Sequence, residues 1–208
     1  MITSSTSPST TPSTTLRELT GLDHSPSRLS ESALIMIDCQ NTYREGTMKL
    51  EGVEEALKEA HELLEKARAQ GIPVFHIRHD AGPGSPYDVN DHIGAIADIV
   101  APKNDEPLIT KNFPNSFVQT DLDEQLKAKG VKNIILAGFM THMCVNSTAH
   151  GGFNLGYSPT VVASATASRA LEGANGKVLS AEEVHQGALA STRDLYAAVV
   201  DSVADLPV

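Results

Sequence analysis

A chain of 208 residues with 40% hydrophobic content is long enough for one sizeable core and too short to expect two. Its net charge of -10 supplies no basic stripe for a nucleic acid or an anionic membrane surface. Trp is absent and aromatics make up only 4%, so stacking platforms for single strands are few as well. The expected partner is a small-molecule substrate, with no nucleic acid and no membrane.

Along the chain, residues 2 to 15 are almost entirely Ser, Thr and Pro, a composition that cannot offset the entropy of ordering. The stretch to Leu29 reads as an arm that packs on the domain or on a neighbouring subunit, which leaves residues 30–208 as one domain. Ala33-Leu34-Ile35-Met36-Ile37 is a continuous apolar run ending at Asp38, the pattern of a strand buried on both faces. Val53 to Gln70 places Val53, Ala56, Leu57, Ala60, Leu63, Leu64 and Ala67 at helical spacing, with Gly71 just past the end.

The cycle repeats. Pro73 to Ile77 reads as a second strand, followed by a long Gly/Pro/Asp-bearing connection, and Pro107 to Thr110 as a short third. A helix around Leu122 to Ala128 stops at Gly130. Asn133 to Gly138 is the strongest strand. A helix from about Cys144 to Leu155, a strand over Thr160 to Ala163, a helix from Ser180 to about Asp194 and a strand over Ala197 to Val200 complete the chain. This alternation predicts an α/β fold, a doubly wound parallel sheet flanked by helices.

Ligands of such sheets bind beyond the carboxyl ends of the strands. Three reactive residues fall there: Asp38 closes the first strand, Lys111 the third, and Cys144 opens the helix after the fourth. A helix N-terminus and a nearby cation both favour thiolate, which predicts a lowered pKa for Cys144. Asp38 would take the thiol proton and return it to a departing amine. Lys111 would keep the carboxylate ionised, and the N–H groups of Met140 and Cys144 are candidates for an oxyanion hole. Taken singly, each residue has a plainer reading: a buried apolar thiol, a capping aspartate and a surface lysine.

Three motifs together resemble the isochorismatase-like cysteine hydrolases, which include N-carbamoylsarcosine amidases, ureidoacrylate amidases and nicotinamidases. They are Asp38-Cys39-Gln40-Asn41-Thr42-Tyr43, Thr110-Lys111 with Ser116-Phe117, and Gly138-Phe139-Met140-Thr141-His142-Met143-Cys144-Val145 with Thr148-Ala149. The resemblance implies a parallel sheet of six strands, a triad of Asp38, Lys111 and Cys144, and a non-proline cis peptide between Phe139 and Met140. It also implies thioester-forming hydrolysis of a small amide, carbamoyl or ureide C–N bond, with self-association into a homo-oligomer. Isochorismatases proper, which hydrolyse a vinyl ether, lack the cysteine; their chemistry, with Asp38 as general acid, and a non-catalytic binder on the same fold are the alternatives.

Nicotinamidases carry a metal site after the second strand. Here that stretch reads His76-Ile77-Arg78-His79-Asp80 without the matching order, so His79, Asp80 and His92 are not expected to hold a metal, and no cofactor is expected. Tyr43, Arg78, His79, Phe117 and His142 are the expected pocket residues. No apolar run approaches the roughly 20 residues of a membrane-spanning helix. The N-terminus lacks a secretory pattern and the two cysteines do not suggest a disulfide framework, so a cytoplasmic location is expected.

Overall fold

The computed structural model describes residues 12–103 and 105–208. Most of the Ser/Thr/Pro tail therefore lies outside the described residues. The arm begins with a short helix α1 (Leu16–Leu19), capped by Thr15, and lies on the domain itself. Strand β1 (Ser32–Ile37) leads to helix α2 (Val53–Gln70), with the bounds its apolar spacing predicts. Gly71 ends α2 in the left-handed region at φ 67°, a conformation that a residue without Cβ adopts at no steric cost.

Strands β2 (Val74–His79) and β3 (Leu108–Lys111) follow, then helix α3 (Leu122–Ala128) and strand β4 (Asn133–Phe139). One π-helical turn (Thr141–Val145) separates β4 from helix α4 (Asn146–Asn154), so Cys144 sits inside that turn rather than at the first residue of an α-helix. Strand β5 (Ser158–Ala167) is longer than its apolar run suggests. It is followed by the two-residue strands β6 (Leu171–Glu172) and β7 (Val178–Leu179), an antiparallel hairpin absent from the sequence reading. Helix α5 (Ala181–Leu195), N-capped by Ser180, and strand β8 (Ala198–Val200) complete the fold.

The main sheet has six strands in the order β3-β2-β1-β4-β5-β8, and every pairing in it is parallel. Chain order reverses direction between β1 and β4, which is the switch point where such sheets open a crevice. Alternate strand residues feed two cores. Leu34, Met36, Ile135 and Ala137 pack under α2, while Ile35, Ile37, Ile134 and Leu136 pack on the other face with Ala149 and Leu189. Both faces of the central strands are thus covered by helices, which is why their sequences are unbroken apolar runs.

The switch point depends on one glycine. Gly138 has φ 117° and pairs with Ile37, and a Cβ built there would run into the Ile37 carbonyl oxygen. Only glycine lets β4 approach β1 this closely at the level of Asp38. The next peptide bond, Phe139–Met140, is cis.

Candidate active site

Asp38 follows the last residue of β1. Simple alternation would turn its side chain away from Ile37's face. Instead the residue is left-handed, φ 49°, a conformation that aspartate tolerates better than most side chains. Its carboxylate meets Lys111, the last residue of β3: Nζ donates to Oδ2 at 2.7 Å, with both side chains fully buried. The same ammonium lies 3.4 Å from Cys144 Sγ and 3.3 Å from His79 Nδ1.

The thiol does not have the electrostatics expected from sequence. Burial first, and then the adjacent Asp38 carboxylate, push the Cys144 pKa up to about 12, against the pull of Lys111. The cause is position: Cys144 is only 5% exposed and lies within the π-turn, not at an open helix end. Burial also raises the Asp38 pKa above the ordinary carboxylate range, with Lys111 opposing. Burial thus favours the neutral thiol and makes the neighbouring Asp38 carboxylate more basic than usual. Cys39 belongs to the opposite core, and burial raises its pKa further.

The turn carrying Cys144 is held from several sides. Met140 O accepts from Met143 N at 3.0 Å and from Val145 N at 3.2 Å. Thr141 Oγ1 hydrogen-bonds His185 Nδ1 of α5 at 2.9 Å. Thr148 Oγ1 accepts from Ser116 N at 3.1 Å, which ties the loop after Lys111 to helix α4. A Cβ on Gly151 would strike the Asn115 side chain, so that loop sits directly on the helix backbone.

The expected pocket residues divide. Tyr43 is buried against Phe139 and Tyr87, with ring centroids at 5.6 and 5.9 Å; burial first, then the Asp38 charge, raise its pKa. His79 reaches Lys111. His142 Nδ1 hydrogen-bonds Ser168 Oγ at 3.0 Å. Arg78 does not join them: it alternates away from His79, and its Nε donates to Thr110 Oγ1 on the neighbouring strand at 2.9 Å. Phe117 is engaged with another aromatic ring. It stacks on Tyr157 at 5.8 Å and packs on the core that holds Ile134, where it would neighbour a Cβ on Gly152.

His79, Asp80 and His92 do not gather as a metal set. His79 Nδ1 faces an ammonium, Asp80 Oδ1 accepts from Gly82 N at 2.8 Å, and exposed His92 pairs with Glu45 at 3.1 Å. Among the described residues no group of three or more His, Cys, Asp or Glu side chains could hold a metal ion.

The sequence reading missed Arg169, two residues beyond the true end of β5. Its Nε is buried without a hydrogen-bond partner, and it forms no ion pair among the described residues. Burial lowers the His142 pKa, and the Arg169 charge lowers it further; the same charge reaches Tyr87. Asp38 Oδ1 and His142 Nε2 are likewise buried and unpartnered. The cue for Arg169 is its place just past a central parallel strand, which the sequence hides because the apolar run of β5 breaks after Ala163.

A doubly wound sheet with a carboxylate, a lysine and a thiol converging at its switch point has the architecture of a hydrolase. Comparison with known proteins agrees. Residues 32–203 match the Isochorismatase domain family, and the chain belongs to that family. It is 33% identical to the secreted isochorismatase effector Isc1 of Verticillium dahliae, over 89% of this chain and 96% of that protein. It is 30% identical to the ureidoacrylate amidohydrolase RutB of Stutzerimonas stutzeri, over 67% of this chain and 71% of that enzyme. Among solved structures, an isochorismatase from Pseudomonas putida KT2440 superposes with a TM-score of 0.90 at 36% identity, covering 94% of this chain and all of that one. The protein is therefore an enzyme of the isochorismatase-family hydrolases, with amidohydrolases among its relatives.

Proposed function

We propose that the protein hydrolyses a C–N bond of a small amide or carbamoyl compound through a thioester on Cys144. The observation that carries this reading is the buried Lys111 ammonium bridging the Asp38 carboxylate and the Cys144 sulfur at 2.7 and 3.4 Å. Asp38 Oδ1, which has no other partner, takes the thiol proton. The sulfur attacks the carbonyl carbon, and the N–H groups of Met140 and Cys144 receive the oxyanion. Asp38 then gives the proton to the departing nitrogen as the C–N bond breaks. A water molecule, deprotonated by Asp38, attacks the thioester carbon; the acid leaves, and Cys144 sulfur regains a proton from Asp38. Lys111 stays protonated throughout, offsetting the negative charge as it moves between carboxylate and sulfur.

Arg169 supplies a place for an anionic group of the substrate. Its buried, unpartnered Nε beside His142 favours a carboxylate, which an arginine binds with two parallel N–H donors. Ureidoacrylate, the substrate in the RutB relative's name, combines such a carboxylate with a carbamoyl nitrogen. Two free cysteines, one of them essential here, support action in a reducing cytoplasm, although the Verticillium relative is described as secreted. No helix among the described residues is long and apolar enough to cross a membrane.

The test is ammonia release from a panel of N-carbamoyl amino acids, ureidoacrylate and simple primary amides. Cys144→Ala should abolish turnover, a loss on the order of 10⁴-fold or more, and acid-quenched wild-type protein should carry an acyl adduct on the Cys144 peptide. Ammonia release that survives in Cys144→Ala would overturn the covalent mechanism. Vinyl-ether hydrolysis draws on the same raised Asp38 pKa, and it predicts full activity of Cys144→Ala on isochorismate.

A further inference from the structure

An ammonium has three N–H donors and no acceptor. Lys111 directs them to three atoms: Asp38 Oδ2 at 2.7 Å, His79 Nδ1 at 3.3 Å and Cys144 Sγ at 3.4 Å. Two of these belong to the mechanism proposed above, and the third is not used by it. Because Lys111 can only donate, Nδ1 of His79 must present its lone pair, and the imidazole proton must sit on Nε2.

The histidine is half-buried and held at both its ring and its backbone. Its ring stands edge-on to Tyr87, with centroids 5.0 Å apart. Its backbone is clasped by the fully buried Gln40 carboxamide, which accepts from His79 N at 2.9 Å and donates to His79 O at 2.9 Å and Gly94 O at 2.8 Å. Gln40 thus pairs with the last residue of β2 as a neighbouring strand would, two residues beyond Asp38. A strand-end side chain that only filled space would not need both edges of its peptide fixed.

We propose that His79 is a positioning residue, a neutral acceptor that fixes the Lys111 ammonium so that its remaining two donors point at Asp38 and Cys144. The proposal rests on the reading of Cys144 as nucleophile. Its consequence is a proton-dependent gate: when Nδ1 is protonated, an imidazolium abuts the ammonium, the contact becomes repulsive, and Lys111 loses its aim. The charged and titratable groups facing His79 are Lys111 on β3, Asp38 after β1, neighbouring Asp80 and Tyr87. Burial first, then Lys111, hold His79 below the ordinary histidine pKa, with Asp38 and Asp80 opposing, so the gate closes on the acid side of that range.

Iodoacetamide alkylation of Cys144 and Cys39 from pH 5 to 9, read by peptide mass spectrometry, tests this without knowledge of the substrate. In wild type Cys144 should outpace Cys39, with a step in its rate on the acid side. His79→Ala should slow Cys144 about tenfold and erase the step, as expected for losing one charge-assisted hydrogen bond. His79→Asn, whose side-chain oxygen can stand where Nδ1 stood, should recover the rate to within about threefold while still lacking the step. Equal rates in wild type and His79→Ala, or no recovery in His79→Asn, would overturn the positioning role. Long-range ¹H–¹⁵N spectra of histidine-labelled protein at pH 7 give a check independent of folding in the variants: His79 should show a bare Nδ1 and a protonated Nε2, and a protonated Nδ1 refutes the proposal. If Cys144 in wild type reacts no faster than Cys39, the nucleophile reading fails, and the spectra still decide whether His79 accepts from Lys111.

Discussion

Two charge clusters, one partly and one fully buried, share the β2–β3 side of the sheet, and they are built to opposite ends. In the first, Glu106 accepts two N–H bonds from Arg68, each at 2.7 Å, one from the Lys103 backbone at 2.8 Å and lies 2.9 Å from His76 Nε2. Both carboxylate oxygens are engaged. Burial raises the Glu106 pKa, yet Arg68 and the other partners win and hold it at about 2. In the second, Asp38 has one oxygen on Lys111 and one on nothing, and burial wins. A satisfied carboxylate contributes stability, whereas a half-satisfied one is left with a lone pair for chemistry.

The sharpest way to break this contrast is at Lys111. Lys111→Met removes the cation bonded to Asp38 and leaves a buried, uncompensated carboxylate, which should cost about 3 to 5 kcal/mol in urea unfolding as well as activity. Adding Asp38→Asn removes the stranded charge and should return much of that stability while the enzyme stays inactive. If the double variant is no more stable than Lys111→Met, the ion pair is not the source of the cost.

At the other cluster the order inverts. Glu106→Gln should lower stability by about 2 kcal/mol, the scale of hydrogen bonds to a charged group, and leave kcat/KM unchanged. The pH dependence has a definite sign. Glu106 is held at about 2 in the folded protein against an ordinary 4.5, so the unfolded chain binds the proton more readily. The contribution is complete above about pH 4.5 and drains as pH falls toward 2. His76, whose pKa burial lowers, adds a loss of the same sign at higher pH. Urea midpoints across pH 2 to 7 should show a shallower acid decline in Glu106→Gln than in wild type, and parallel curves would contradict the assignment.

How far the sequence reading reached follows the same divide. Strand ends bounded by apolar runs were legible, so Asp38, Lys111 and Cys144 could be placed at one crevice from β1, β3 and β4 alone. Properties that depend on burial were not. The Cys144 thiol was expected to be acidified by a helix end and a lysine, but desolvation inside the π-turn outweighs both. Phe117 was read as a pocket wall because it follows Lys111 closely; its stacking partner, Tyr157, is distant in the chain and gives no local signal. Strand β5 was ended at Ala163, although pairing continues through Thr166 with Gly138 and Ala167 with Phe139 after a register shift. That irregularity interrupts the apolar run, so Ser168 and Arg169 fall well past the strand end that the sequence marks.

The two arginines at the strand ends therefore make the finest comparison. Arg78 was expected in the pocket but spends its Nε on Thr110; Arg169 was overlooked and has a buried Nε with no partner. On a carboxylate-bearing substrate such as ureidoacrylate, Arg169→Ala should raise KM by about ten- to a hundredfold, as for loss of a charge-assisted contact, with a smaller change in kcat. Arg78→Ala should leave both constants within about twofold and shift stability by no more than about 0.5 kcal/mol. The same pair measured on an uncharged primary amide separates binding from architecture. If Arg169 acts by holding an anion, its effect on KM disappears there, because the amide has no negative group for the guanidinium to bind. If the penalty persists, Arg169 instead supports the wall formed by His142 and Ser168, and the anionic substrate class loses its main support.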